Sequence, residues 1–213
     1  MSFKKFLAEG STGSSGSSGS SGSLHVFDID ETLMHTNAEI IVKDKTGNIL
    51  QKLTSSEFNN HKLEQGNEYD FTEFRDSLKF NTESKPIMQM IEQLNRIHNK
   101  IKLNLTPNSK IIMNTAREDF NDKHLFLNTF KKYGIDIDDI YVYRAGNLPG
   151  NDIPAKKKLV HIRKDIEIGN YSDVHMYDDS RTNLSYFKSL ESEYPNIKFH
   201  AWIIDHKGNM RKF

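Results

Sequence analysis

Val26-Phe27-Asp28-Ile29-Asp30-Glu31-Thr32-Leu33 runs an apolar strand straight into two carboxylates. In an extended chain the side chains of residues two apart point the same way, so Asp28 and Asp30 share one site just past the strand. Strand ends of this kind are where open α/β sheets carry their chemistry. Two crowded carboxylates require a cation. Alone, a D-x-D pair is equally the mark of a solvated turn or a helix cap, so its meaning depends on what else converges there.

Two later segments have the same grammar. Lys110-Ile111-Ile112-Met113-Asn114-Thr115-Ala116-Arg117 ends in a hydroxyl and an arginine, and Val174-His175-Met176-Tyr177-Asp178-Asp179-Ser180 ends in paired carboxylates. Each predicts a short buried strand followed by a helix. If the strands are parallel neighbours, all three polar tips meet at one sheet edge. Between them, Pro154 suits the first turn of a helix and three lysines follow at once. Its core stripe reads Leu159, Ile162 and Ile166, and one turn back passes Ala155 and Lys156. Lys156 is therefore the lysine expected at the edge, Lys158 the alternative, and one or two of Lys156, Lys157 and Lys158 form a solvated face.

Strands over 24–30, 111–115, 140–143, 174–177 and 197–204 alternate with helices over 86–98, 119–133, 154–166 and 182–191, with Gly134 stopping the second helix. This alternation predicts an α/β, three-layer, Rossmann-like fold: a mostly parallel sheet with helices on both faces. Residues 37–80 interrupt it. Ile40-Ile41-Val42 and Ile49-Leu50-Gln51-Lys52-Leu53 flank a Lys45-Thr46-Gly47-Asn48 turn, and Tyr69-Asp70-Phe71-Thr72-Glu73-Phe74-Arg75 reads as an aromatic loop or short helix. This β-hairpin insertion is expected to hang over the site as a small flap or cap. Asp136, Asp138 and Asp139 lie between a helix and a strand, where capping and turn chemistry account for them. The histidines, His35 near Asp28 included, have no spacing that identifies ligands.

Composition fits one α/β domain over 24–213. The chain has no cysteine, which removes disulfides, thiolate chemistry and cysteine-bound zinc. Its 29 basic and 29 acidic residues leave no surplus for bulk attraction to nucleic acid. No apolar stretch approaches the ~20 residues that span a bilayer, so no membrane association is expected, and without a secretory-type leader a cytoplasmic location is.

The four pieces together resemble the signature motifs of the haloacid dehalogenase superfamily of phosphohydrolases: a DxDxT strand end, a Thr strand end, a helix-borne lysine and an acidic pair. The resemblance runs from Leu24 to about Phe199 and implies a phosphomonoesterase that works through an aspartyl-phosphate. It implies Asp28 as nucleophile and Asp30 as general acid and then base, a division in which one carboxylate splits a hard displacement into two easier ones and the other handles protons. Thr115 and Lys156 would hold the non-transferring phosphate oxygens, with Thr32, Asn114, Arg117 and Lys158 as substrate contacts; Arg117 is equally suited to a local salt bridge. Mg2+ is the implied cofactor, held by the Asp28 side chain, the Asp30 backbone carbonyl and Asp178, with Asp179 a direct or water-mediated partner. Asn183 and Arg181 are expected to shape the acidic loop and cap the following helix.

Glu31 departs from the glycine common in the superfamily's DxDGT form. Its Asp-Glu-Thr-Leu version is similar to that of acid phosphatases and of phosphatases acting on polymerase tails, but the Thr-Ala-Arg and Asp-Asp tips look closer to phage-type phosphatases, including the 3′-phosphatase half of phage polynucleotide kinase. No G-x-x-x-x-G-K-[ST] loop accompanies it. A small cap implies phosphate on a larger molecule, so a nucleotide or nucleic-acid end is the expected substrate. A phosphoprotein or small-metabolite phosphatase and a catalytically silent virion or binding protein are the alternatives. Residues 11–23 are Ser, Gly and one Thr, similar to an expression-vector linker as much as to natural sequence, and are set apart with 1–10 as a flexible head of residues 1–23. Residues 1–10 resemble the N-terminal peptides of tailed-phage proteins, which implies capsid association and a virion or host-cytoplasm location.

Overall fold

The computed structural model describes residues 21–58 and 60–213. The head peptide 1–10, and with it the expected capsid association, lies outside the described residues. In chain order the elements are β1 (Gly22–Phe27), β2 (Met34–His35), β3 (Ile40–Lys43), β4 (Ile49–Leu53), α1 (Ser55–Phe58), β5 (Glu68–Asp70), α2 (Ser77–Glu83), β6 (Lys85–Pro86), α3 (Met88–Lys102), β7 (Lys110–Thr115), α4 (Lys123–Lys131), β8 (Tyr141–Arg144), α5 (Pro154–Ile168), β9 (Tyr171–Asp178), α6 (Arg181–Lys188), α7 (Leu190–Glu193), β10 (Lys198–Ile204) and β11 (Met210–Lys212).

The main sheet has the order β11-β10-β9-β1-β7-β8, parallel throughout except for the antiparallel edge strand β11. Alternation along the strands divides the core in two. Phe27, Ile111 and Met113 pack on one face with Met90, Ile91 and Leu94 of α3 and Phe126 and Phe130 of α4. Leu24, Val26, Ile112, Val174 and Met176 pack on the other with Leu159, Ile162 and Ile166 of α5 and Leu184 and Phe187 of α6. Each such fully buried side chain contributes about 1.5–3 kcal/mol. The three-layer α/β architecture read from the sequence is the observed one.

Local chemistry sets the boundaries. The helix expected from 119 begins at Lys123, because the Asp122 carboxylate accepts from the Leu125 amide and caps it there. The expected helix 182–191 divides into α6 and α7 at Ser189, whose hydroxyl donates to the Tyr186 carbonyl. The first strand starts at Gly22, inside the stretch set apart as flexible head. Gly22 donates to the Asn170 carbonyl at 2.9 Å, and a side chain there would meet the Asn108 backbone, so a glycine is required by close approach. The boundary at 23/24 thus falls two residues late. Strand β11 and helix α2 carry too little periodicity to be read from sequence.

The 37–80 insertion holds the expected hairpin, β3 against β4, and gains β5 as a third strand on β3. Ala38, Ile40, Val42, Leu53 and Phe74 form its own small core. The acidic trio, expected to serve caps and turns, is engaged in ion pairs instead: Asp136 makes no side-chain cap, Asp136 and Asp139 meet Lys102, and Asp138 meets Lys131.

Candidate active site

Because β9, β1 and β7 are parallel neighbours with Tyr177, Phe27 and Met113 in register, the residues that follow come together at their carboxyl ends. Asp28, Thr115 and Asp178 meet there, each nearly or fully buried.

The first corner of the site is acidic. Lys158 Nζ donates to Asp28 Oδ1 at 2.6 Å and to Asp178 Oδ2 at 2.8 Å, so one ammonium is shared by two carboxylates. Oxygens of Asp28, Asp178 and Asp179 lie within 4.8 Å of one another and can hold a metal ion. Burial pushes the Asp28 carboxyl up to about 7 against the pull of Lys158, with Asp178 and Asp30 adding to the rise. Burial raises Asp179 as well, followed by repulsion from Asp178 and Asp28. Burial alone would lower Lys158, but the Asp178 and Asp28 carboxylates outweigh it and hold the ammonium charged.

The lysine of this corner is Lys158, not Lys156. Counting in steps of three and four from Ala155, the buried stripe of α5 passes through Lys158, Leu159, Ile162 and Ile166. Lys156 falls one position round the helix, half exposed, 3.5 Å from Asp152. The stripe was legible, but its continuation forks at one turn, and the branch that includes a lysine at the buried end is selected by the carboxylates it meets.

The second corner is closed. Arg117 donates to Asp30 through Nε (3.0 Å to Oδ2) and Nη2 (2.7 Å to Oδ1), a bidentate pair. Its other donors go to the Phe74 carbonyl at 2.8 Å and the Thr36 hydroxyl at 3.0 Å, and its guanidinium lies 4.7 Å from the ring centres of both Phe74 and Phe80. With its donors taken up by Asp30, Phe74 and Thr36, Arg117 takes the local pairing that was one of its two expected roles. Thr115 Oγ1 lies 3.4 Å from Asp30 Oδ2. The signal was available: Thr115 and Arg117 are two apart at a strand end, as Asp28 and Asp30 are.

Thr32 and Asn114, expected as substrate contacts, are instead fully buried supports. Thr32 Oγ1 accepts from the Asp179 amide at 3.1 Å, which ties the loop after β1 to the acidic loop. Asn114 Nδ2 donates to the backbone carbonyl of Lys158 at 2.9 Å and its Oδ1 meets His161 Nδ1, fixing α5 against β7. Asn183 shapes the acidic loop as anticipated: its Nδ2 donates to both Asp178 oxygens, while the Ser180 amide donates to Oδ1. Arg181 lies over the Phe213 ring. Glu31 adopts φ +57°, a left-handed conformation, and its carboxylate accepts from the Thr36 amide and pairs with His35 at 2.8 Å.

Comparison of the chain with family models, with curated proteins and with solved structures yields no match.

The donor set suits a small hard dication. All its atoms are carboxylate oxygens, and Lys158 alone leaves Asp28 and Asp178 short of positive charge. The Asp30 carboxylate is not in this group, being engaged by Arg117. Over the second corner the insertion supplies Phe74, and through it Phe71, 39 % exposed, which meets Phe58 and Phe74 edge-on. A concavity of about 200 Å³ within the insertion, lined by Val42, Leu50, His61 and Lys62 among others, does not reach the carboxylates. Among the described residues no helix is long and apolar enough to cross a membrane.

Proposed function

We propose that this chain is a Mg2+-dependent phosphomonoester hydrolase of the haloacid dehalogenase type, with Asp28 as nucleophile. The observation that supports it most is the division of two carboxylates two residues apart into different partners: Asp28 faces Lys158 and the acidic group, Asp30 faces Arg117 and Thr115. A nucleophile needs an electrophile held beside a positive field, and an acid/base needs a fixed orientation; the two corners supply these separately.

In this scheme Asp28 attacks phosphorus and the ester oxygen leaves, taking its proton from Asp30. Asp30 then removes a proton from water, which attacks phosphorus and returns the Asp28 carboxylate with release of phosphate. Lys158 steadies the negative oxygens of the transferring group, and Arg117 keeps Asp30 in line. Mg2+ held by Asp28, Asp178 and Asp179 would neutralise charge that builds in the transition state. The favoured substrate is a nucleotide or nucleic-acid terminal phosphate, because the insertion is small and offers the exposed Phe71 ring beside the second corner.

Hydrolysis of a panel of phosphomonoesters, including 3′- and 5′-phosphorylated oligonucleotides, in Mg2+ and in EDTA tests this. Expected are phosphate release that EDTA stops and Mg2+ restores, and a preference for nucleotides over sugar phosphates. Metal-independent hydrolysis, or none on any ester, would refute the proposal. For Phe71→Ala, KM should rise for oligonucleotides more than for p-nitrophenyl phosphate, since the two share phosphate chemistry and differ beyond it.

A further inference from the structure

A second group of metal-ligating side chains lies away from the carboxylate tips. His25, His175 and His200 occupy directly paired positions on β1, β9 and β10. Their rings stack as a ladder, with centres 4.7 Å apart between the first two and 4.4 Å between the last two. Asp173, two residues before His175 on the same face of β9, accepts from His200 Nε2 at 3.1 Å. One ligand atom each from Asp173, His175 and His200 lie within 4.8 Å of one another.

We propose that Asp173, His175 and His200 form a transition-metal site, separate in place and chemistry from the Mg2+ site, that takes Zn2+ or a similar borderline ion. Two imidazoles and one carboxylate are the donors such ions select, whereas Mg2+ prefers an all-oxygen set. A tetrahedral ion with bonds of about 2 Å needs its ligand atoms roughly 3.3 Å apart, so the stacked His175 and His200 rings have to turn toward the ion as it binds. Asp173 and His200 are 28 % and 30 % exposed, so an ion has a path in. Three protein ligands leave one coordination position for water.

The site has a built-in reporter. Trp202, the single tryptophan of the chain, donates from Nε1 to His175 Nδ1 at 3.4 Å, so an ion that turns the His175 ring perturbs the indole directly.

The full chain, stripped with EDTA and returned to saturating Mg2+, is titrated with ZnCl2 while Trp202 fluorescence is followed, with calorimetry for stoichiometry. Expected is one saturable event that moves Trp202 emission, weakened by about tenfold or more in His200→Gln and in Asp173→Asn, and unchanged in Asp178→Asn. Emission that Zn2+ leaves unmoved in the wild type, or equal Zn2+ affinity in wild type and both site variants, would overturn the assignment. Should a variant fail to fold, the wild type decides: Zn2+ has to shift the emission beyond what Mg2+ alone produces.

Discussion

The two corners of the carboxylate site are built from the same sequence device and end in opposite electrostatic states. At Asp30 one carboxylate meets a guanidinium that is bidentate, hydrogen-bonded at its remaining edge and held between Phe74 and Phe80. At Asp28 a single ammonium is divided between two carboxylates with Asp179 close by, and burial pushes Asp28 and Asp179 upward. A satisfied charge pair is a rigid support, and an under-neutralised one is a place for a cation and an anionic substrate to enter. The difference lies in the neighbours, not in the aspartates.

If that contrast is right, lysine replacement is the sharpest way to break it. Lys158→Ala should lower kcat for p-nitrophenyl phosphate by about 10²–10³-fold, in the range seen when one charge-stabilising donor is removed, while Lys156→Ala stays within about twofold of wild type. Equal effects would place the site's positive charge elsewhere. Arg117→Ala attacks the closed corner and leaves Asp30 nearly buried without its partner. Its cost should be mainly to folding, about 3–5 kcal/mol by urea denaturation; an Arg117→Ala protein of wild-type stability would show that the pair is dispensable.

The open corner should respond to pH in a defined direction. A carboxyl whose folded pKa is raised, as for Asp28 at about 7 against an ordinary 3.8, favours the fold when protonated. That contribution is fully present below about pH 4 and is lost as pH rises through 7. The metal-free protein should therefore lose stability across this window, and the rise in Tm produced by Mg2+ should be larger at pH 8 than at pH 5. A Mg2+ effect that does not grow with pH would contradict the charge deficit. The smallest expected effect is at Glu31. Glu31→Ala keeps the strained φ and loses the Thr36 and His35 contacts, costing about 1–2 kcal/mol, whereas Glu31→Gly loses the contacts but relieves the backbone and should cost less; thermal melts of the pair compare the two.

The layered fold and the convergence of Asp28, Thr115 and Asp178 were legible because short apolar runs and the polar tips that end them are local signals. The identity of the lysine was not, because a helical stripe extended by one turn fits positions 155, 156 and 158 alike, and only the carboxylates across the sheet edge choose. Arg117 was half legible: its spacing from Thr115 pointed it to the site, but its Phe74 and Phe80 sandwich comes from residues far away in sequence. Thr32 and Asn114 read as substrate contacts because a polar side chain at a motif position looks alike in sequence whether it meets substrate or ties two loops together. The His25, His175 and His200 ladder has no spacing at all in sequence, since its members come from three strands and meet only through register.

Hydrolysis of p-nitrophenyl phosphate by Asp28→Asn in Mg2+ tests the central claim most directly. The substitution removes the proposed nucleophile while keeping size and polarity, and because the buried Asp28 site already favours a neutral group the variant should stay folded, with a Tm at pH 8 no lower than that of the metal-free wild type. Turnover should fall by about 10³-fold or more, since removing a covalent nucleophile leaves only the remaining binding and electrostatic terms. A folded Asp28→Asn protein that hydrolyses the ester at the wild-type rate would contradict the account at its root.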